Sequence, residues 1–157
     1  MKLQIWSVGK QHEPYIREGA ELFTRRISNY FPVEWNLIAS PKNAGQMQEE
    51  ALRASEASAI LQLLKKEDQL VALDEQGAST NSPGLARFIQ TKANEGTRNL
   101  VFLIGGAYGL DEKVLQRATF KWSLSALTFP HQLVRLILTE QLYRACTIIR
   151  NEKYHHA

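Results

Sequence analysis

Two adjacent glycines stand in the segment Leu103-Ile104-Gly105-Gly106-Ala107-Tyr108-Gly109-Leu110, directly after a continuously apolar stretch. A glycine pair at the end of a buried strand lets backbone approach a ligand closely and permits positive φ. In an open α/β sheet, ligands bind at the carboxyl ends of strands. The spacing is not that of a dinucleotide fold, which needs G-x-G-x-x-G after the first strand and an acid about 20 positions on. Here the order is G-G-x-x-G, with no acid between Glu112 and Glu140. A G-x-x-x-x-G-K-[ST] phosphate loop is absent. Taken alone, the segment fits a tight strand-to-helix turn slightly better.

A second segment, Trp122-Ser123-Leu124-Ser125-Ala126-Leu127-Thr128-Phe129-Pro130-His131, is small, apolar and hydroxylated. Such a loop can bury an adenine-sized ligand while its backbone N–H and C=O groups read the ring edges. His131 is the one base within it, and no G-x-S-x-G elbow marks a serine hydrolase. The third segment, Leu133–Arg144, is apolar on nearly every face, so it is expected to be buried nearly all round and partly covered by a second subunit. Its Glu140 and Arg144 are spaced to pair. His131 and Arg135 share that spacing, which places both near the apolar loop. Arg135 and Arg144 are expected to serve RNA or cross-subunit contacts. The tail, Asn151–Ala157, ends in Tyr154-His155-His156, and a Tyr-His pair can stack on and hydrogen-bond an extruded base. Chain ends are ordinarily frayed, and composition alone favours that reading. Metal chemistry is not expected: there is one Cys, no H-E-x-x-H, and adjacent His155-His156 point apart.

These segments must be held by a scaffold whose order can be read along the chain. Lys2–Val8 reads as a strand ending at Gly9-Lys10, and Tyr15–Ser28 has apolar residues near helical spacing. Val33–Ile38 alternates like a strand, Lys42–Gln46 reads as a loop, and Met47–Lys66 is rich in helix formers. Gln69–Leu73 is the next strand, closing in Asp74-Glu75-Gln76-Gly77. Ser82-Pro83 fits a helix N-cap followed by Pro at the first helical position, with the helix reaching about Asn94. Leu100–Ile104 reads as a strand buried on both faces. A short helix near Asp111–Arg117, a strand Phe120–Leu124, and a last helix opened by Pro130 and reaching about Arg150 complete the order. Alternating strands and helices imply an α/β fold with a mostly parallel sheet flanked by helices. No repeat or linker divides residues 1–157, so one domain is expected.

Composition bounds the partners. The chain is 44% hydrophobic and 22% charged, as expected of a soluble globular protein, and no apolar run approaches the roughly 20 residues of a membrane span. The N-terminus reads as a strand rather than a signal peptide, and the lone Cys146 suits a reducing cytoplasm. Net charge is +3, but residues 113–157 carry seven Lys and Arg against two acids. That placement suits either a polyanionic partner or an ordinary basic face. A non-catalytic RNA-binding protein would explain the charge without a cofactor. A nucleotide-dependent oxidoreductase would explain the glycines, but the spacing makes it remote.

Read together, Ser7-Val8-Gly9-Lys10, Leu73-Asp74-Glu75, Ile104-Gly105-Gly106 with Gly109-Leu110, Leu124–His131 with Leu133-Val134-Arg135, Glu140 with Leu142-Tyr143-Arg144-Ala145, and Tyr154-His155 stand in one order. In that order and spacing, from Met1 to His155, the chain resembles the 23S ribosomal RNA pseudouridine N3-methyltransferases of the SPOUT superfamily. Ala78 departs from it, since relatives often carry Lys after Glu-x-Gly. The resemblance implies a C-terminal deep trefoil knot, a homodimer, and S-adenosyl-L-methionine (SAM) bent into the knot crevice. It implies SAM contacts from Leu73, Gly105, Leu124, Ser125, Ala126, Leu127, Thr128 and Phe129. The implied substrate is a pseudouridine of the intersubunit, decoding-proximal hairpin of 23S RNA in the assembled ribosome. His131, Arg135, Tyr154 and His155 are then the candidates for work on the base. His131 and His155 are rival proton acceptors, with bulk water as a third.

Overall fold

A computed structural model describes residues 1–156 of the chain. The elements in order are β1 (Lys2–Val8), α1 (Pro14–Ile27), β2 (Val33–Ile38), α2 (Glu49–Leu63), β3 (Gln69–Ser79), α3 (Ser82–Asn94), β4 (Asn99–Ile104), α4 (Glu112–Arg117), β5 (Phe120–Ser123) and α5 (His131–Ile149). The five strands form one sheet in the order β2-β1-β4-β3-β5, and every pairing is parallel. Parallel strands need crossovers, and the helices supply them on both faces.

The apolar alternation decides which helix covers which face. Leu3, Ile5, Leu100, Phe102 and Ile104 point to the side of α1, α3 and α5. Trp6, Val8, Val101 and Leu103 point to the side of α2 and α4. Crossovers running leftward along the stated strand order use the first face, and those running rightward use the second. All four crossovers therefore share one hand, as the twist of parallel strands demands.

Several local expectations are corrected. The cap of α3 is Asn81, whose Oδ1 accepts from Gly84 N at 2.8 Å, so Ser82 and Pro83 lie inside the helix. The expected loop at Lys42–Gln46 contains a 3-10 turn, Ala44–Gln46. Most consequential is β3, which does not close at Leu73 but runs on to Ser79. Leu73 and Ala78 both register with Trp122, so Asp74, Glu75, Gln76 and Gly77 bulge out between two pairings. Only glycine fits at the return: a Cβ on Gly77 would lie 2.7 Å from the Lys121 carbonyl group.

Helix α5 lies on the sheet between α1 and α3, burying Leu138, Leu142, Ala145 and Cys146. It is not enclosed all round in the single chain: Leu133, Ile137, Glu140 and Arg144, along its outer side, are half-buried. Burial pushes the Cys146 thiol up to about 12, so it packs as a neutral hydrophobe.

Candidate active site

At the carboxyl ends of β3, β4 and β5 the chain encloses a cavity of about 440 Å³. That is within the roughly 300–1,000 Å³ typical of small-ligand sites. The position follows from topology. The connection leaving β3 crosses one face of the sheet and that leaving β4 crosses the other, so a crevice opens between them. Three segments far apart in sequence form its walls: the β3 bulge, the loop after β4, and the loop between β5 and α5.

The loop after β4 is a tight turn. Gly109 N donates to Gly106 O at 3.2 Å, and Gly109 has φ +79°, which a side chain would strain. Gly105 is glycine for a different reason than ligand approach alone. A Cβ there would lie 3.0 Å from the Leu110 side chain and 3.2 Å from the Gly109 carbonyl carbon. The turn thus folds back on its own first residue.

The β5–α5 loop is braced from within. Ser123 Oγ donates to Ser125 O at 3.2 Å, and Ser125 Oγ accepts from Leu127 N at 3.0 Å. Ala126–Phe129 make no backbone–backbone hydrogen bond among the described residues, which leaves peptide groups open to a heterocycle edge. Leu73, Gly105, Leu124, Ser125, Leu127, Thr128 and Phe129 all line the cavity; Ala126 lies in the same loop but off its wall. Leu127 is 71% exposed, an apolar side chain left standing in solvent at the cavity mouth.

Asp74, Glu75 and Gln76 add a polar rim, and Tyr108 and Leu110 add wall area beyond the expected cofactor residues. Their adjacency in sequence to Leu73 and Gly109 hinted at this. The bulge that presents the acids had no sequence signal, because its pairing partner Trp122 is nearly fifty positions away. Two acids at the rim suit a cationic ligand.

His131 lines the cavity at the first turn of α5, and Arg135 does not. Burial, and then the nearby Arg135 charge, hold the His131 imidazole below its usual range, so the ring stays neutral and able to accept a proton. Arg135 is 1% exposed and turned to the end of β1. Its Nε donates to Ser7 Oγ at 2.9 Å and its Nη1 to Lys10 O at 2.8 Å, with His12 Nδ1 at 3.2 Å. Ser7 follows Leu3 and Ile5 on the same sheet face, which is why the helix above can reach it. Gln132 assists, accepting from Glu13 N at 2.9 Å. Arg135 is therefore placed to bolt α5 to the β1–α1 loop, and neither RNA nor a second subunit has access to it as it stands. An isolated i, i+4 spacing could not reveal this, because helical spacing does not say which way a residue faces.

The tail folds onto α5. Tyr154 Oη donates to Glu140 Oε1 at 3.1 Å, Arg144 pairs with Glu140, and the guanidinium lies 4.8 Å over the Tyr154 ring. Arg144 Nη1 is 3.3 Å from His155 Nδ1. Arg117 is likewise engaged within the chain, donating to the Lys65 and Asp68 carbonyls. Of the C-terminal cations, Lys113, Lys121, Arg150 and Lys153 remain exposed.

Residues 1–155 match the family described as Predicted SPOUT methyltransferase. The chain is 46% identical over 156 residues to the ribosomal RNA large subunit methyltransferase H of Cytophaga hutchinsonii, covering 99% of this chain and all of that one. It is 43% identical to the protein of that name from Geotalea daltonii, with the same coverage. Among solved structures, the probable methyltransferase of Bordetella pertussis superposes with a TM-score of 0.56 at 14% identity, over 92% of this chain and 95% of that one. At that identity the likeness concerns the fold. Among the described residues, no helix is long and apolar enough to cross a membrane. With the parallel sheet and the cavity built from the same segments, the matches establish that this chain is a methyltransferase and belongs to the ribosomal RNA large subunit methyltransferase H family of SPOUT proteins.

Proposed function

We propose that the chain transfers the methyl group of SAM to N3 of a pseudouridine in 23S ribosomal RNA, at the intersubunit, decoding-proximal hairpin of the assembled ribosome. The observation that carries the reading is one cavity assembled from Leu73, Gly105, Leu124, Ser125 and Leu127–Phe129, in a chain whose relatives are named as methyltransferases of large-subunit ribosomal RNA. The residues fit the donor. Leu73, Ile104, Leu124 and Phe129 suit an adenosine, the loop peptide groups other than Leu127 N suit its edge, and Asp74 and Glu75 suit the ammonium and sulfonium charges.

When bound, SAM supplies an activated methyl on a sulfonium leaving group. N3 of the base forms the new bond as the methyl–sulfur bond breaks, and its electrons leave with the thioether. The protein's contribution is alignment, worth up to several kcal/mol of the barrier. Neutral His131, at the cavity wall, accepts the N3 proton. Arg135 serves catalysis only by fixing the start of α5.

Tyr154 and His155 cannot serve the cavity of their own chain. Glu140 and Arg144, which hold them, lie nine and thirteen residues after His131 along α5. At 1.5 Å per residue that is about 14–20 Å away. We infer a two-fold homodimer in which α5 packs against its mate, so that each tail reaches the partner's cavity and holds the extruded base. The half-buried apolar residues on the outer side of α5 support this pairing. Family membership also supports a C-terminal trefoil knot, and the cytoplasm as the site of action.

Mass spectrometry of 23S RNA from cells lacking the protein, before and after treating their ribosomes with purified protein and SAM, tests the proposal. A methylated pseudouridine that appears only with both additions is expected. Its absence, or a methyl on another base, refutes the reading.

A further inference from the structure

We propose that Glu56 is a positioning residue for the glycine turn, its carboxyl group bracing Gly106 from behind and holding the 105–109 turn in the shape that receives the methyl donor. The proposal rests on the reading that the donor lies against that turn. Glu56 sits on α2 and is 6% exposed, in none of the segments that suggested chemistry from sequence. A Cβ on Gly106 would come within 2.7 and 2.8 Å of its two carboxylate oxygens and 3.1 Å of its Cδ. The head group therefore lies against the Gly106 Cα, in the space where any other residue would carry a side chain. Gly106 is thus glycine because α2 delivers a carboxyl there, just as Gly105 is glycine because Leu110 folds over it.

A buried acid is costly unless it is paired. Glu56 takes part in no ion pair among the described residues, and its hydrogen bond, from Ser40 Oγ, is long at 3.4 Å. Burial raises its carboxyl above the ordinary range, against the opposing effect of Ser40. A leucine would fill the same place without that penalty. The carboxyl head lies instead against Gly106, in a turn that lines the cavity. Support of this kind from behind a binding loop is what keeps such a loop in one geometry.

The test combines calorimetric titration with SAM and hydrogen exchange over residues 105–109, on the whole protein. Glu56→Ala is expected to raise the SAM Kd about ten-fold and to speed amide exchange in the turn by a similar factor. Exchange in β1 and β4 should not change. Glu56→Gln, which keeps the shape, should restore both to within about two-fold of wild type. Gly106→Ala should weaken binding alone and recover part of it when combined with Glu56→Ala, since the clash is with that carboxyl. Wild-type affinity and wild-type exchange in Glu56→Ala would overturn the proposal. Should Glu56→Ala fail to fold, Glu56→Asp, which draws the head away from Gly106, carries the same two readouts and the same expectation. If wild-type protein does not bind SAM, the cofactor reading fails, and the exchange measurement still decides whether Glu56 braces the turn.

Discussion

Replacing Arg135 by Ala separates a structural bolt from an RNA contact. The guanidinium is 1% exposed and donates to Ser7 Oγ and Lys10 O, with His12 Nδ1 within reach. Hydrogen bonds from a charged donor contribute roughly 1.5–3 kcal/mol each, but burying the guanidinium offsets much of their sum. Truncation also leaves the Lys10 carbonyl and Ser7 hydroxyl facing a void. A net loss of about 3–4 kcal/mol is expected, near the range for breaking a buried polar pair. With an unfolding entropy of about 2.1 cal/mol/K per residue, that corresponds to a fall in Tm of about 10 °C for a chain of this length. Thermal unfolding followed by circular dichroism measures it. Arg135→Met should lose less, because it fills the space and removes the desolvation cost together with the bonds. A Tm within about 3 °C of wild type, with methylation of ribosomes abolished, would refute the bolt and restore Arg135 as an RNA contact.

Gly105→Val should clash with Leu110 and the Gly109 backbone and raise the SAM Kd at least about ten-fold by calorimetry, with a smaller effect on Tm; unchanged affinity would place the donor elsewhere. Because burial and Arg135 lower the His131 pKa from 6.5, the ring is neutral at and above that pH, and the methylation rate should fall only on the acid side of it. His131→Ala should abolish that acid limb, and a profile unchanged by the substitution would remove His131 as the base. The same direction of shift at His12 and His131 means that the unfolded chain takes up protons first, so stability should decline as pH drops below 6.5 in thermal scans. Deleting Tyr154–Ala157 should leave a dimer by ultracentrifugation that binds SAM and does not methylate ribosomes; methylation at the normal rate would show that the tail has no part in the reaction.

Much of this protein is written locally in its chain. The alternation in Val33–Ile38 marked a strand because a strand's two faces repeat every second residue, and the unbroken apolar run Leu100–Ile104 marked one buried on both faces. Pro130 marked the start of the last helix, and it stands as the residue just before the first helical turn. Gly105, the Leu124–Phe129 loop and His131 could be picked out as a candidate site from residue type and order, and folding sets these segments around one cavity. What local pattern could not decide is direction and company. The Asp74–Gly77 bulge exists because Trp122 pairs on both sides of it, and Gly77 is required by a carbonyl of Lys121 that no neighbour in sequence announces. Arg135 looked like a free cation on a basic helix until folding brought Ser7 and Lys10 beneath it. Glu56 looked like one more acid on a polar helix until the crossover of α2 set it against Gly106. Residue type and spacing determine which elements form and which segments can bind. Only the tertiary contacts between segments distant in sequence determine which charged groups face a ligand and which are engaged in holding the walls around it.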